Sequence, residues 1–198
     1  MYDLIFYLEL GLLHVLDWNA IDHMLFLCAL TIVYNFKDFK TVFWIITFFT
    51  FGHTFSLILS AFDLFKPSSQ LIEFLIPTTI ILTSLYNILD NKKSKNNFFE
   101  YGFSVLFGII HGFGFGNYFE MLTDSLDTKI TPLVGFAIGV ELSQLVVVLG
   151  ILIINTFFNK SSYGDEFFIL LNGHIFSNLS SLSSSALSIA ESIRSFIL

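Results

Sequence analysis

The sequence predicts an all-α protein: a polytopic transmembrane bundle of about six or seven hydrophobic helices, the first of them short or partly re-entrant. Three observations predict it. Only 13% of the 198 residues are charged, where soluble domains average about 25%. Hydrophobic residues make up 55% of the chain, with 26 Phe and a mean hydropathy of +0.77. Apolar runs near the ~20 residues that cross a bilayer recur along the whole length.

Seven such segments stand out, at roughly 2–18, 22–36, 41–62, 71–90, 98–119, 132–158 and 167–198. The first two are short, so either they cross tilted and closely joined, or the first is partly re-entrant. Residues 1–158 read as one transmembrane domain. Residues 159–198 read as a loop followed by a last helix or tail, because "SNLSSLSSSALSIAESIRS" is Ser-rich and carries Glu191 and Arg194. The start "MYDLIFYLELGLLH" lacks the basic leader and small-residue site of a cleavable signal peptide.

Charge sets the expected orientation. Six of the nine basic residues (Lys37, Lys40, Lys92, Lys93, Lys95 and Lys160) fall in alternate loops. Positive-inside counting makes 37–40, 91–97 and 159–166 cytoplasmic. If the first segment crosses alone, the N-terminus is cytoplasmic as well. A net charge of −7 leaves no basic stripe for phosphates, which excludes nucleic acid as a partner. Cys28 is the only cysteine, so neither a disulfide nor a thiolate metal cluster can form within the chain.

The informative residues are the polar ones inside apolar segments. Each ionisable group there costs about 2.5–3.5 kcal/mol on insertion scales, so each needs a purpose. In "HVLDWNAIDHM", His14 and His23 are nine residues apart and would face opposite ways on one continuous helix. A break near "DWN", with Asn19 capping the next helix, would let His14, Asp22 and His23 converge. Simple capping by Asp22 is the competing reading. His53 sits deep in "TFGHTFSL" among Thr50, Thr54 and Ser56, whose hydroxyls could fix the imidazole tautomer. Glu73, four residues before Pro77, reads equally as an interfacial cap or a ligand.

His111 opens "HGFGFG". Gly108, Gly112 and Gly116 form one smooth face against which a neighbouring backbone can close, while Gly114 breaks that spacing and allows local unwinding. Glu141 and Gln144 share a face one turn apart, beside a small-residue stripe at Gly135, Gly139 and Ser143. Proton carriage, metal ligation and a structural Glu–His pair all suit a buried Glu. Together these groups are what a midplane cation site needs, since imidazole and carboxylate suit divalent first-row metals.

In the order "GLLHVLDWNAIDHMLFL", "TFGHTFSLILS", "IEFLIP", "LFGIIHGFGF" and "AIGVELSQ", the chain resembles the HupE/UreJ family over about residues 8–148. Its overall form is similar to the shorter one of Bacteroidetes-type bacteria. The family comprises small bacterial membrane proteins regarded as nickel or cobalt permeases linked to hydrogenase and urease maturation. The resemblance implies a metal pathway formed or lined by His14, Asp22, His23, His53, His111, Glu141 and Gln144, with Glu73 at a recurrent acidic position. Asp17 with Asp22–His23 is also similar to the signature of the larger nickel/cobalt permeases, Asp replacing the first His. Either His14 or Asp17 therefore takes the first-block position.

The expected function is transport of divalent transition-metal ions, nickel or cobalt with zinc also suited, across the inner (plasma) membrane of a bacterium by a multi-pass permease. No prosthetic group is expected. The expected partners are the metal ion, the lipid bilayer and a second copy of the chain, docked through glycine-rich helix faces. The sequence holds no ATP-binding motif, so a gradient or a partner supplies any driving force. Two alternatives remain open: an intramembrane zinc hydrolase, with Ser56 and Glu141 in support, and a structural or proton-handling helper.

Overall fold

The computed structural model describes residues 2–17, 22–89 and 97–158. Among them are six α-helices and no strand: α1 Tyr2–Leu16, α2 Asp22–Thr31, α3 Phe39–Ala61, α4 Ser69–Leu89, α5 Asn97–Thr123 and α6 Ile130–Phe158. They coincide with the first six hydrophobic segments. The seventh segment, Asn19, and the Lys-bearing stretches at 91–96 and 159–166 lie outside the described residues.

An apolar solvent leaves the backbone no partner but itself, so helices are the available solution for these sequences. Phe36–Ala61, Ser69–Tyr86 and Ile130–Phe157 are long and apolar enough to cross a membrane. Their outer faces carry large exposed apolar side chains, among them Trp44, Phe51, Leu82, Val146 and Phe157. Such surface suits lipid and not water. The prolines fit this scheme. Pro132 occupies the first turn of α6, where its missing N–H would be unpaired anyway. α4 runs through Pro77, flanked by Thr78 and Thr79, whose hydroxyls donate to the carbonyls of Phe74 and Ile76, both at 2.7 Å.

Helix directions follow from the contacts. Ser104 on α5 donates to the Ile45 carbonyl of α3, and Gly116 meets Ser60, so α3 and α5 run the same way. Leu4 lies against Gly135 and Leu8 against Gly139, so α1 and α6 also share a direction. α6 opposes α3: Thr156 accepts the Phe36 N–H, and Phe136 stacks on His53. α2 opposes α3 as well, with His23 beside His53 and Phe26 beside Phe49. α1 and α2 therefore run in one direction, one after the other. At about 1.5 Å per residue, 15 and 10 residues give roughly 22 and 15 Å. Neither reaches the ~30 Å of a bilayer core, but together they do.

Both helices are short, as expected, and they point the same way. Tyr7 donates to the Leu122 carbonyl, 3.1 Å away at the end of α5, while Asn155 caps the far end of α2 through the carbonyls of Ile32 and Tyr34. The N-terminal residues thus lie at the end of the bundle opposite residues 37–40, not beside them. The turn after α3 lies at the same end as Tyr7. Asp63 adopts a left-handed φ of 53° as that helix closes, and Lys66 bridges Asp63 at 2.9 Å and Glu120 at 2.8 Å. The Lys66 ammonium holds the Asp63 carboxyl below its usual range.

Glycines set the helix spacing. A methyl at Gly108 would meet the Phe49 carbonyl, one at Gly112 the Ser56 hydroxyl and His53 carbonyl, and one at Gly116 the Ser60 hydroxyl. Gly52 faces the Val105 carbonyl in return. Gly11 and Gly139 do the same for α1 and α6. The face of Gly108, Gly112 and Gly116 is thus filled by a helix of the same chain. Gly114 turns to α4, where a methyl would lie 2.9 Å from Ile76, and α5 stays helical through it without unwinding.

Because the obstacle at Gly108 is backbone, Gly108→Ala should force α3 and α5 apart and cost about 1–3 kcal/mol. Gly102 has open space around it, so Gly102→Ala should melt at or slightly above wild type. Thermal melting in detergent checks the pair, and equal melting of Gly108→Ala and wild type would refute the tight approach.

Candidate metal centre

Four helices deliver a histidine to one place. His14 lies in the last turn of α1 and His23 in the first turn of α2. α1 ends at Leu16 and α2 begins at Asp22, and the two ring centroids are 4.5 Å apart. His53 of α3 lies 5.7 Å from His14 and 6.0 Å from His23. His111 of α5 lies 5.4 Å from His23. His23, His53 and His111 are buried. The centre sits between two apolar clusters. Phe115 and Phe136 pack on His14, and Phe26 and Phe49 on His111.

The polar chemistry of these rings is incomplete. Nε2 of His14, His23 and His53 and Nδ1 of His111 are shielded from solvent and have no hydrogen-bond partner. Buried polar atoms are normally paired, so four such nitrogens in one centre are free to take a bound ion or water. Ligand atoms of His14, His23 and His53 lie within 4.8 Å of one another, and so do those of Asp22, His23 and His111. The two groups share His23.

Asp22 shapes this shared residue. Its Oδ1 accepts the His23 backbone N–H at 3.0 Å and faces the His23 Nδ1 at 3.3 Å. A carboxylate only accepts, so Nδ1 carries the proton and Nε2 presents its lone pair. Asp22 thus places its carboxylate in the first turn of α2, beside His23.

Glu141 and Gln144 lie apart from both groups. Glu141 accepts the Thr47 hydroxyl at 2.7 Å and also bonds Thr50, while Gln144 Oε1 lies 3.0 Å from the Thr50 hydroxyl. Thr50 and Thr47 are one and two turns along α3 from His53, so these oxygens continue from the histidines towards the Phe39 end. Ser56 departs from expectation: it donates at 2.8 Å to the backbone carbonyl of His53, not to its ring. Glu73 is exposed on α4 and joins neither group. Asp17 is exposed too, and with Leu10, Leu13, His14, Leu16, Phe115 and Tyr118 it lines a recess of about 600 Å³ that reaches His14.

Sequence reasoning missed Thr47 and Thr79. Thr79 of α4 places its hydroxyl 3.3 Å from His111 Nε2. Hydroxyls abound in these segments and carry no charge, so nothing in their spacing singles these two out.

Residues 1–184 match the sequence model of the HupE / UreJ protein family. The chain belongs to the HupE/UreJ family. No curated protein and no solved structure matches it. HupE/UreJ membership is associated with nickel and cobalt transport and supports a metal-transport role. It points to a transporter or accessory protein in preference to an enzyme. With three membrane-capable helices, this HupE/UreJ chain is a membrane protein.

If the shared histidine is central, His23→Ala should lower nickel or cobalt affinity at least about 10-fold, the usual scale of losses at such sites. Glu73→Gln should leave it within about twofold. Equilibrium dialysis of the purified protein decides, and equal affinities for His23→Ala and wild type would refute the assignment.

Proposed function

We propose that the chain is a multi-pass permease of the bacterial plasma membrane that carries divalent transition-metal ions, nickel or cobalt, through the four-histidine centre. The observation that carries this reading is the set of four partnerless ring nitrogens brought together beside the break between α1 and α2. An ion stripped of water needs replacement donors, and neutral imidazoles supply them to borderline metals such as nickel, cobalt and zinc. Residues 1–158 hold the pathway.

Lys37 and Lys40 set the cytoplasmic side. The α1–α2 pair then forms one discontinuous crossing, entered from the non-cytoplasmic side. Asp17 and the recess beside His14 receive the ion. His14, His23 and His53 take it from there, and His23 exchanges it with the group formed with Asp22 and His111. Thr50, Gln144, Thr47 and Glu141 lead further towards the cytoplasm, and the Glu141 carboxylate offsets part of the charge. Glu73 stays outside this path.

Proteoliposomes with an internal metal-sensitive dye provide the test. Wild type should pass nickel or cobalt, and His23→Ala and His111→Ala should lose at least about 90% of the flux, a loss on the scale of a ligand or its support. Protons compete for the imidazole lone pairs, so uptake without an imposed proton gradient should weaken as external pH falls through the histidine range. No uptake under any gradient, with one tightly held zinc per chain, would replace the permease with an intramembrane hydrolase. Single cysteines at positions 5 and 64 should label from the non-cytoplasmic side; cytoplasmic labelling at position 5 would refute the single broken crossing.

A further inference from the structure

We propose that Thr79 positions His111 as a metal ligand by fixing which of its ring nitrogens carries the proton. The inference rests on the metal-pathway reading for its purpose, but its geometry stands on its own. A threonine hydroxyl has one proton to give. Thr79 gives it to the Ile76 carbonyl at 2.7 Å, so only oxygen lone pairs face the His111 ring. His111 Nε2 stands 3.3 Å from that oxygen, and a lone pair can be paired only by an N–H. Nε2 therefore holds the ring proton, and Nδ1 is left as a bare acceptor.

Nδ1 is the His111 atom that is buried without any partner. In the other three rings the partnerless atom is Nε2. His111 is thus mounted the opposite way round, and Thr79 is the contact that makes it so. Both side chains are buried, Thr79 at 3% and His111 at 1% exposure, so water does not compete for this hydrogen bond. Asp22 gives His23 the complementary instruction from its own side, holding the proton on Nδ1 and freeing Nε2. A carboxylate on α2 and a hydroxyl on α4 thereby select the free nitrogens of two neighbouring rings. A metal held by His111 needs the Nδ1 lone pair, and any tautomer with the proton there is blocked.

The test reads the tautomer and the affinity separately. Metal-free protein labelled with nitrogen-15 histidine, in detergent, gives long-range proton–nitrogen correlations, with His111 assigned by its loss in His111→Gln. Wild type and Thr79→Ser should show His111 with the proton on Nε2, and Thr79→Val should show a mixture or the proton on Nδ1. Cobalt affinity should fall about 10–100-fold in Thr79→Val and stay within about threefold in Thr79→Ser, the scale expected for a group orienting a ligand. A metal-binding wild type whose Thr79→Val variant keeps both tautomer and affinity overturns the role of Thr79 alone. A wild type that shows the Nε2 proton but binds no metal overturns the metal reading, and the ligand role with it.

Discussion

Everything around the histidines depends on how closely the α3 and α5 backbones approach. In a bilayer, lipid tails are as apolar as the side chains, so burial gives helices little reason to associate, and packing contacts carry the task. Gly108, Gly112 and Gly116 let carbonyls and hydroxyls of α3 sit where side chains would otherwise stand. Gly112 meets the His53 carbonyl itself, one residue from His111. The contact that joins the helices is thus the contact that sets both imidazoles, with the Phe49 ring 6.1 Å from one and 5.4 Å from the other. Any widening of this seam moves two of the four rings at once.

The second glycine seam, between α1 and α6, holds a broken element instead of a whole one. α1 ends at Leu16 and α2 begins at Asp22, beside the histidines in the interior of the bundle. The last carbonyls of α1 lose their helical partners there, and that end of the helix carries partial negative charge. The start of α2 carries the opposite sign, and Asp22 sits on it and neutralises it. A cation held beside His14 and His23, as the proposed pathway requires, would meet a carbonyl end and a carboxylate. Asn155 performs the corresponding duty at the other end of α2, where Ile32 and Tyr34 would expose carbonyls inside the bundle.

Much of this was legible in the sequence, for physical reasons. The ~20-residue runs marked the helices, and the nine-residue spacing of His14 and His23 required a break. The four-residue spacing of Gly108, Gly112 and Gly116 announced a close neighbour, though not that the neighbour was α3. Helix direction was harder to read. Loop charge assigns sides to loops, and between 17 and 21 no basic residue reports that the chain continues the same way. The hydroxyls were hardest. Thr50 was expected to serve His53 and instead bonds Glu141 with Gln144 Oε1 close by, because its direction on α3 points it at α6. Thr79 gave no signal at all, since its significance lies in a contact made 32 residues away.

The order of donors along α3 adds a last constraint. A pathway must bind its ion well enough to draw it from water and loosely enough to release it. Four imidazoles around one ion would favour retention. Two arrangements work against that. His23 belongs to both three-residue groups, so if both bind metal, two ions could not each hold a full set. Beyond His53 the donors change from nitrogen to oxygen, with Thr50 and Gln144 first and Thr47 with Glu141 next. Oxygen donors hold borderline metals less firmly than imidazole does. On the permease reading proposed above, affinity would decline along α3 from the histidines towards Phe39, and the same helix that carries His53 would carry the groups that let its ion leave.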